Sequence, residues 1–271
     1  MNTEKQKITL GQLNLSFYAV QAALVKEVLV QKGHEIELRQ GPHQDVYPEL
    51  GDGKIDVFVA TWIPYSHSVF WEKYKDVITP LGTGFEGGES FWAVPDYIPE
   101  DLVSSVEDLK KPEVKEKMRL LVRGIGEATG VTQRSKNVIA EYGLDKHGYH
   151  VEPGTDAEWI ASISDAYDAG DWFVCPLWQP QFLNKKYKLR KIDEPSLCMG
   201  GIDTGRITAH NDFVATAPNE TIETIKRISI GVDAITEMDY FVNVDGMTAE
   251  GAAQHWLSKN PEKLRHWLNG V

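Results

Sequence analysis

A tryptophan and a histidine, five residues apart, close the stretch Asp56-Val57-Phe58-Val59-Ala60-Thr61-Trp62-Ile63-Pro64-Tyr65-Ser66-His67. The apolar run before Trp62 predicts a buried strand over 57–61, and Pro64 re-aims the chain into a turn and then a helix. Ligands of open α/β sheets bind beyond the carboxyl ends of strands. Trp62 at such an end has its indole free to meet a ligand. Taken by themselves, the two residues read more plainly as a core aromatic and an ordinary helix-start residue, because large aromatics are usually buried.

Two further stretches bear on that choice. Trp172-Phe173-Val174-Cys175-Pro176-Leu177-Trp178-Gln179-Pro180-Gln181 repeats the order of apolar strand, Trp, then Pro. Arg119-Leu120-Leu121-Val122-Arg123 has strand character and runs into Gly124-Ile125-Gly126-Glu127-Ala128-Thr129-Gly130 ahead of a helix over 131–142. The first N–H groups of a helix are unpaired and favour anions. This turn is therefore either an anion site or a plain tight turn. It lacks the Lys of a P-loop, and its glycines do not match the dinucleotide spacing.

These motifs need elements to position them. Residues 8–14 read as a strand and 17–32 as a helix, with Val20, Ala23, Leu24 and Val28 at helical spacing and Gly33 as a stop. Residues 35–38 alternate as a strand, and 44–52 form a short helix. With 57–61 this is βαβαβ, which implies a parallel sheet covered by helices. A helix over 68–74, an extended piece over 77–81, a glycine-rich loop over 82–88 and a strand over 90–95 follow. Residues 105–109 read as a short helix capped by Ser105, and 110–117 as a solvated connection. A helix over 159–169, an extended stretch over 207–216, one or two helices over 220–240, and closing helices over 248–256 and 261–268 complete the order. The two Trp-ended strands predict two lobes facing each other across a cleft. Residues 1–92 and 207–271 form one lobe, and 93–206 the other.

The 271 residues suffice for two domains. With 28 Lys+Arg against 40 Asp+Glu, the net charge of −12 argues against nucleic acid or an anionic membrane surface as partner. No apolar run reaches the length of a membrane span. No hydrophobic signal segment precedes Ile8, so the chain reads as cytosolic or as a mature form with an added start Met. Cys175 and Cys198 have neither CxxC nor metal-ligand spacing, and Cys175 reads as a buried thiol. No GxSxG, HExxH or P-loop occurs, and the eight His are scattered. The expectation is neither an enzyme nor a cofactor or metal protein.

Four pieces carry a resemblance: Thr61-Trp62-Ile63-Pro64-Tyr65-Ser66-His67, Ala93-Val94-Pro95-Asp96-Tyr97, Gly124-Ile125 before a helix, and Trp178-Gln179-Pro180 followed by Lys186-Tyr187-Lys188. From Ile8 to about Trp267 the chain resembles the substrate-binding proteins of osmoprotectant ABC importers, those for glycine betaine, proline betaine and related quaternary amines. The resemblance implies a periplasmic-binding-protein-like α/β fold of type II, with two lobes, each a mixed sheet flanked by helices, and two hinge strands. It implies a monomeric receptor at the periplasmic or extracellular face that delivers a small zwitterionic or cationic amine to a membrane-embedded ABC permease.

In that family an aromatic cage holds the trimethylammonium head, and backbone amides and a His hold the carboxylate. Carried over by position, Trp62 and Trp178 are cage walls, and His67 with the N–H groups of Gly124 and Ile125 holds the carboxylate. The chemistry suits the roles. A quaternary ammonium has no N–H to donate, whereas each aromatic face attracts it by about 0.5–2 kcal/mol. Where relatives carry a third cage Trp, this chain has Leu15, so Phe17 or Tyr18 supplies a ring or the cage is open there. Trp92, Trp159 and Trp172 read as core. The second departure is Gly126-Glu127-Ala128, where relatives often have Asp then Pro-Gly.

The closest competitor is a two-lobed receptor for an amino acid or other small amine. Such sites pair the ammonium with an acid and the carboxylate with an Arg. Glu127 and Asp156, with Arg123 and Arg206, are the residues available for that. An effector domain of a transcriptional regulator is disfavoured, because no helix-turn-helix precedes Ile8 and the charge is acidic.

Overall fold

The structure, a computed structural model, describes residues 6–127 and 129–270. In chain order its elements are β1 (Lys7–Leu13), α1 (Ser16–Gln31), β2 (Glu35–Gly41), α2 (His43–Gly51), β3 (Val57–Ile63), α3 (Ser68–Tyr74) and β4 (Ile78–Pro95). Then come α4 (Pro112–Lys115), β5 (Leu121–Arg123), α5 (Gly130–Glu141), β6 (His150–Glu152), α6 (Asp156–Ala169) and β7 (Cys175–Gln179). The rest are α7 (Leu183–Lys186), β8 (Leu189–Lys191), β9 (Asp203–His210), α8 (Asn211–Thr216), α9 (Asn219–Arg227), α10 (Val232–Asn243), α11 (Ala249–Lys259) and α12 (Pro261–Asn269). This is the mixed α/β fold of two-lobed, type II periplasmic binding proteins.

The chain divides into two compact units. One comprises the chain up to Gly88, Pro180–Phe182 and the chain from Asp203; the other comprises Glu89–Gln179 and Leu183–Ile202. The changes at Gly88 and Ile202 each come four residues before the boundaries expected at 92 and 206. The sequence also gives no sign that 180–182 returns to the first unit.

In the first unit the strand order is β2-β1-β3-β9, continued by the first part of β4. β1 is parallel to both β2 and β3, with Leu10 opposite Leu38 on one edge and Val57 on the other. β9 is antiparallel to β3 and to β4. With a strand on each edge and side chains buried from Val57 through Trp62, β3 reads as an unbroken apolar run. Helix α1 packs against α10 and α11, with Val20, Leu24 and Val28 fully buried.

The 82–88 stretch expected as a loop is the middle of the 18-residue strand β4. Its pairing with β9 shifts register between Pro80 and Gly82, Thr83 and Phe85, and Phe85 and Gly88. Glycine is needed for close approach: a Cβ on Gly82 would lie 2.6 Å from the Ile225 carbonyl oxygen, and one on Gly88 2.6 Å from the Phe85 ring. Composition alone cannot separate such a strand from a loop. The extended stretch expected over 207–216 ends at His210, where α8 begins, capped by the His210 side chain accepting the Asp212 N–H at 3.2 Å.

In the second unit the latter part of β4 pairs antiparallel with β7 and β8. Among the described residues of this unit only β5, α5 and β6 form a parallel βαβ unit, with Val122 opposite Val151. Trp178 lies at the last residue but one of the antiparallel strand β7, opposite Ser90. The strand expected over 119–123 is regular only from Leu121, and α4 lies within the solvated connection expected over 110–117. The core gathers Trp92, Val94, Val122, Leu144, Tyr149 and Ile192.

Candidate functional site

In the first unit the end of β3 is an aromatic shell. Trp62 is 3% exposed. The Phe17 ring meets it edge-on with centroids 5.9 Å apart, and the Phe85 ring does so at 5.0 Å. Phe17 also packs on Tyr18 at 4.2 Å. Leu15 is the half-buried residue preceding α1, and the ring beside Trp62 from this stretch is Phe17, two residues on. The buried Trp62 Nε1–H has no acceptor among the described residues.

The turn after Trp62 is built around His67. Its Nδ1 accepts the Trp62 backbone N–H at 3.0 Å and lies 2.7 Å from the Tyr47 hydroxyl. A nitrogen that accepts carries no proton, so the neutral ring holds its hydrogen on Nε2. His67 Nε2 lies 3.1 Å from His43 Nε2 and 3.4 Å from the Tyr18 hydroxyl. Burial pushes His43 down to about 4, so its Nε2 is free to accept at neutral pH. The expectation of His67 as an anion contact thus meets a ring that is 4% exposed and occupied on both nitrogens by its own unit.

Asp203 fastens the same turn. It is 1% exposed, and its carboxylate accepts the Tyr65 N–H at 2.6 Å, the Ser66 N–H at 3.0 Å and the Ser66 hydroxyl at 2.6 Å. His43, Tyr47, Phe85 and Asp203 were not singled out from the sequence. They are distant along the chain, and only Phe85, a ring set among glycines, stands out in the sequence.

In the second unit Trp178 is buried and stacks on Trp159, with centroids 4.7 Å apart and planes 15° from parallel. Trp159 is fixed by its Nε1–H, which donates to the Pro176 carbonyl at 3.1 Å. The Asn184 side-chain amide donates to the Trp178 carbonyl at 2.8 Å. Trp92 is fully buried in the core, as expected, and Trp172 packs on that core while partly exposed.

The glycine turn is closed on itself. The Gly124 N–H donates to the Glu152 carbonyl at 2.8 Å, extending the β5–β6 ladder, and the Gly126 N–H donates to the Gly154 carbonyl. The Ile125 N–H donates to Thr132 Oγ1 at 2.8 Å, and Thr132 Oγ1 donates back to the Ile125 carbonyl at 3.0 Å. A Cβ on Gly124 would lie 2.5 Å from that same Oγ1, so glycine is needed for the approach. Glu127 is exposed and paired with Lys136. Arg123 pairs with Glu152 at 3.2 Å, and Arg206 donates to the Thr83 hydroxyl. Both thiols are free, and burial pushes Cys175 up to about 12.

Residues 6–259 match the family model described as the substrate-binding domain of the ABC-type glycine betaine transport system. The chain is 22% identical over 161 residues to the glycine betaine/carnitine transport binding protein of Listeria monocytogenes, an alignment that spans 59% of this chain and 53% of that protein. Among solved structures, the glycine betaine/L-proline-binding protein of Borrelia burgdorferi superposes with a TM-score of 0.82 at 24% identity, covering 96% of each chain. The lactococcal OpuAC protein in its closed form with glycine betaine superposes with a TM-score of 0.84 at 19% identity, covering 98% of this chain and 100% of that one. At these identities the structural likeness establishes the fold.

Proposed function

We propose that this chain, which belongs to the family of substrate-binding domains of ABC-type glycine betaine transport systems, is a solute receptor for a small quaternary amine. It hands that solute to a membrane-embedded ABC permease at the periplasmic or extracellular face, and it acts as a monomer. Trp62 and Trp178 are the binding faces of the two units, with Phe17 adding a ring beside Trp62. The observation that carries this reading is the aromatic shell at the end of β3, where Phe17 and Phe85 hold Trp62 edge-on. A cation without N–H groups is attracted to such faces through the ring quadrupole. A receptor for an ordinary amino acid needs an unengaged Arg for the carboxylate, whereas Arg123 and Arg206 are both engaged locally.

Titration of the intrinsic Trp fluorescence with glycine betaine, proline betaine, choline and carnitine tests this, with proline and arginine as controls. At least one quaternary amine should saturate the signal and raise the melting temperature. Trp62→Ala should weaken that binding by about tenfold or more. A panel that leaves both signals unmoved refutes the reading.

A further inference from the structure

Three polar groups of the first unit converge beside the end of β3. His67 Nε2 lies 3.1 Å from His43 Nε2 and 3.4 Å from the Tyr18 hydroxyl. The hydrogen between the two rings belongs to His67, because its Nδ1 accepts the Trp62 N–H at 3.0 Å. His43 Nε2 therefore accepts, and the hydrogen of its own neutral ring sits on Nδ1. Tyr18 and His67 are buried, whereas His43, the first residue of α2, is half-buried and within reach of solvent protons. Phe70 of α3 stacks on the His43 ring at 5.6 Å, and Tyr47 does so at 6.4 Å, so the ring is held in place.

We infer that His43 is a positioning residue acting through His67. Neutral, it keeps the His67 Nε2–H for itself; protonated, it releases that N–H and adds its own, so that the pair takes a solute carboxylate together with a proton. This rests on the quaternary-amine reading above and concerns solutes of that class that carry a carboxylate. A protonated His43 has no lone pair, so two N–H groups face each other across 3.1 Å. A carboxylate accepts from both, and from the Tyr18 hydroxyl, which burial keeps protonated. In the free protein burial holds His43 down to about 4. A carboxylate alongside favours the charged ring and draws that value up toward neutrality. Affinity for the carboxylate therefore rises as pH falls. The other titratable groups around the pair are Tyr47, whose hydroxyl burial also keeps protonated, and Asp203 on β9, whose charge reaches Tyr18. The Asp203 oxygens are already taken by Tyr65 and Ser66. Asp45, two residues along α2 from His43, is exposed.

Calorimetric titration of the intact chain with glycine betaine at pH 8 and at pH 5, each in two buffers of different ionisation enthalpy, counts the protons taken up. Binding should tighten by about tenfold from pH 8 to pH 5, with uptake approaching about one proton per solute at the lower pH. His43→Gln should abolish both, whereas a merely structural role for His43 would change affinity and leave the pH slope in place. Choline, of similar size but without a carboxylate, should show neither uptake nor slope. Glycine betaine bound without proton uptake overturns the inference, as does equal uptake with choline or in His43→Gln. The wild-type proton count is decisive even where the variant fails to fold. Choline bound and glycine betaine not bound at either pH also overturns it, and leaves the quaternary-amine reading standing. Binding of neither ligand sinks that reading, and the inference with it.

Discussion

Asp203 and Ser66 are joined twice, since one carboxylate oxygen accepts both the Ser66 N–H at 3.0 Å and the Ser66 hydroxyl at 2.6 Å. The other oxygen takes the Tyr65 N–H at 2.6 Å. The first residue of β9 therefore holds the turn that follows Trp62. Asp203→Asn puts an amide donor where donors already converge, and it should lower the unfolding free energy by about 2–3 kcal/mol. Ser66→Ala removes one bond of the three and should cost about 1 kcal/mol. Urea unfolding with unchanged m-values measures both. Equal stability of wild type and Asp203→Asn would refute the anchor.

His67 should be the Nε2–H tautomer, because its Nδ1 accepts the Trp62 N–H at 3.0 Å. Long-range 15N–1H correlation spectra report this directly. The partner His43 titrates at about 4 in the folded protein, against 6.5 ordinarily, because it is buried. A lowered folded value means the unfolded chain binds the proton first. The stability His43 confers is therefore complete above about pH 6.5 and is lost as pH falls from there through 4, by roughly 3–3.5 kcal/mol in total. His43→Gln should flatten that part of the stability curve.

Gly205 is opposite both Trp62 and Phe85 in the sheet, and a Cβ there would lie 2.1 Å from the Phe85 ring. Gly205→Ala must push Phe85 against Trp62. Destabilisation of about 1–3 kcal/mol is expected, together with a change in Trp fluorescence. Gly130→Ala is the control, since a Cβ at that position meets nothing within 4 Å. It should move stability by less than about 0.5 kcal/mol.

Asp239 gives the opposite pH dependence to His43. Burial pushes its carboxyl up to about 6, against the hydrogen bonds it accepts from Ser16, the Phe182 N–H and Asn243. A raised folded value means the native state holds the proton more tightly than the unfolded chain. This contribution is present below about pH 4 and is lost as pH rises through 6. Asp239→Asn keeps an acceptor for the Phe182 N–H at 2.8 Å and removes the ionisation. The variant should therefore gain on wild type as pH rises from 4 to 7, by roughly 2–3 kcal/mol. A difference independent of pH would contradict the assignment.

Local pattern determined a great deal of this protein. The βαβαβ start, the helix over 68–74 and the apolar run ending in Trp62 are written in period and punctuation, because β3 is paired on both edges and Val20, Leu24 and Val28 recur at helical spacing in the buried helix α1. The family was legible from the short Trp-Ile-Pro and Gly-Ile motifs and the Trp-Gln-Pro strand end. Only the tertiary structure decided that the glycines of 82–88 belong to a strand, because what demands them is a carbonyl of Ile225 and the ring of Phe85, far off in sequence or crowded by the fold. It also decided which donors are engaged. Sequence names His67, Gly124 and Ile125 as groups able to hold an anion. Whether an N–H is available depends on Tyr47, His43, Glu152 and Thr132, brought to within hydrogen-bonding distance by folding alone.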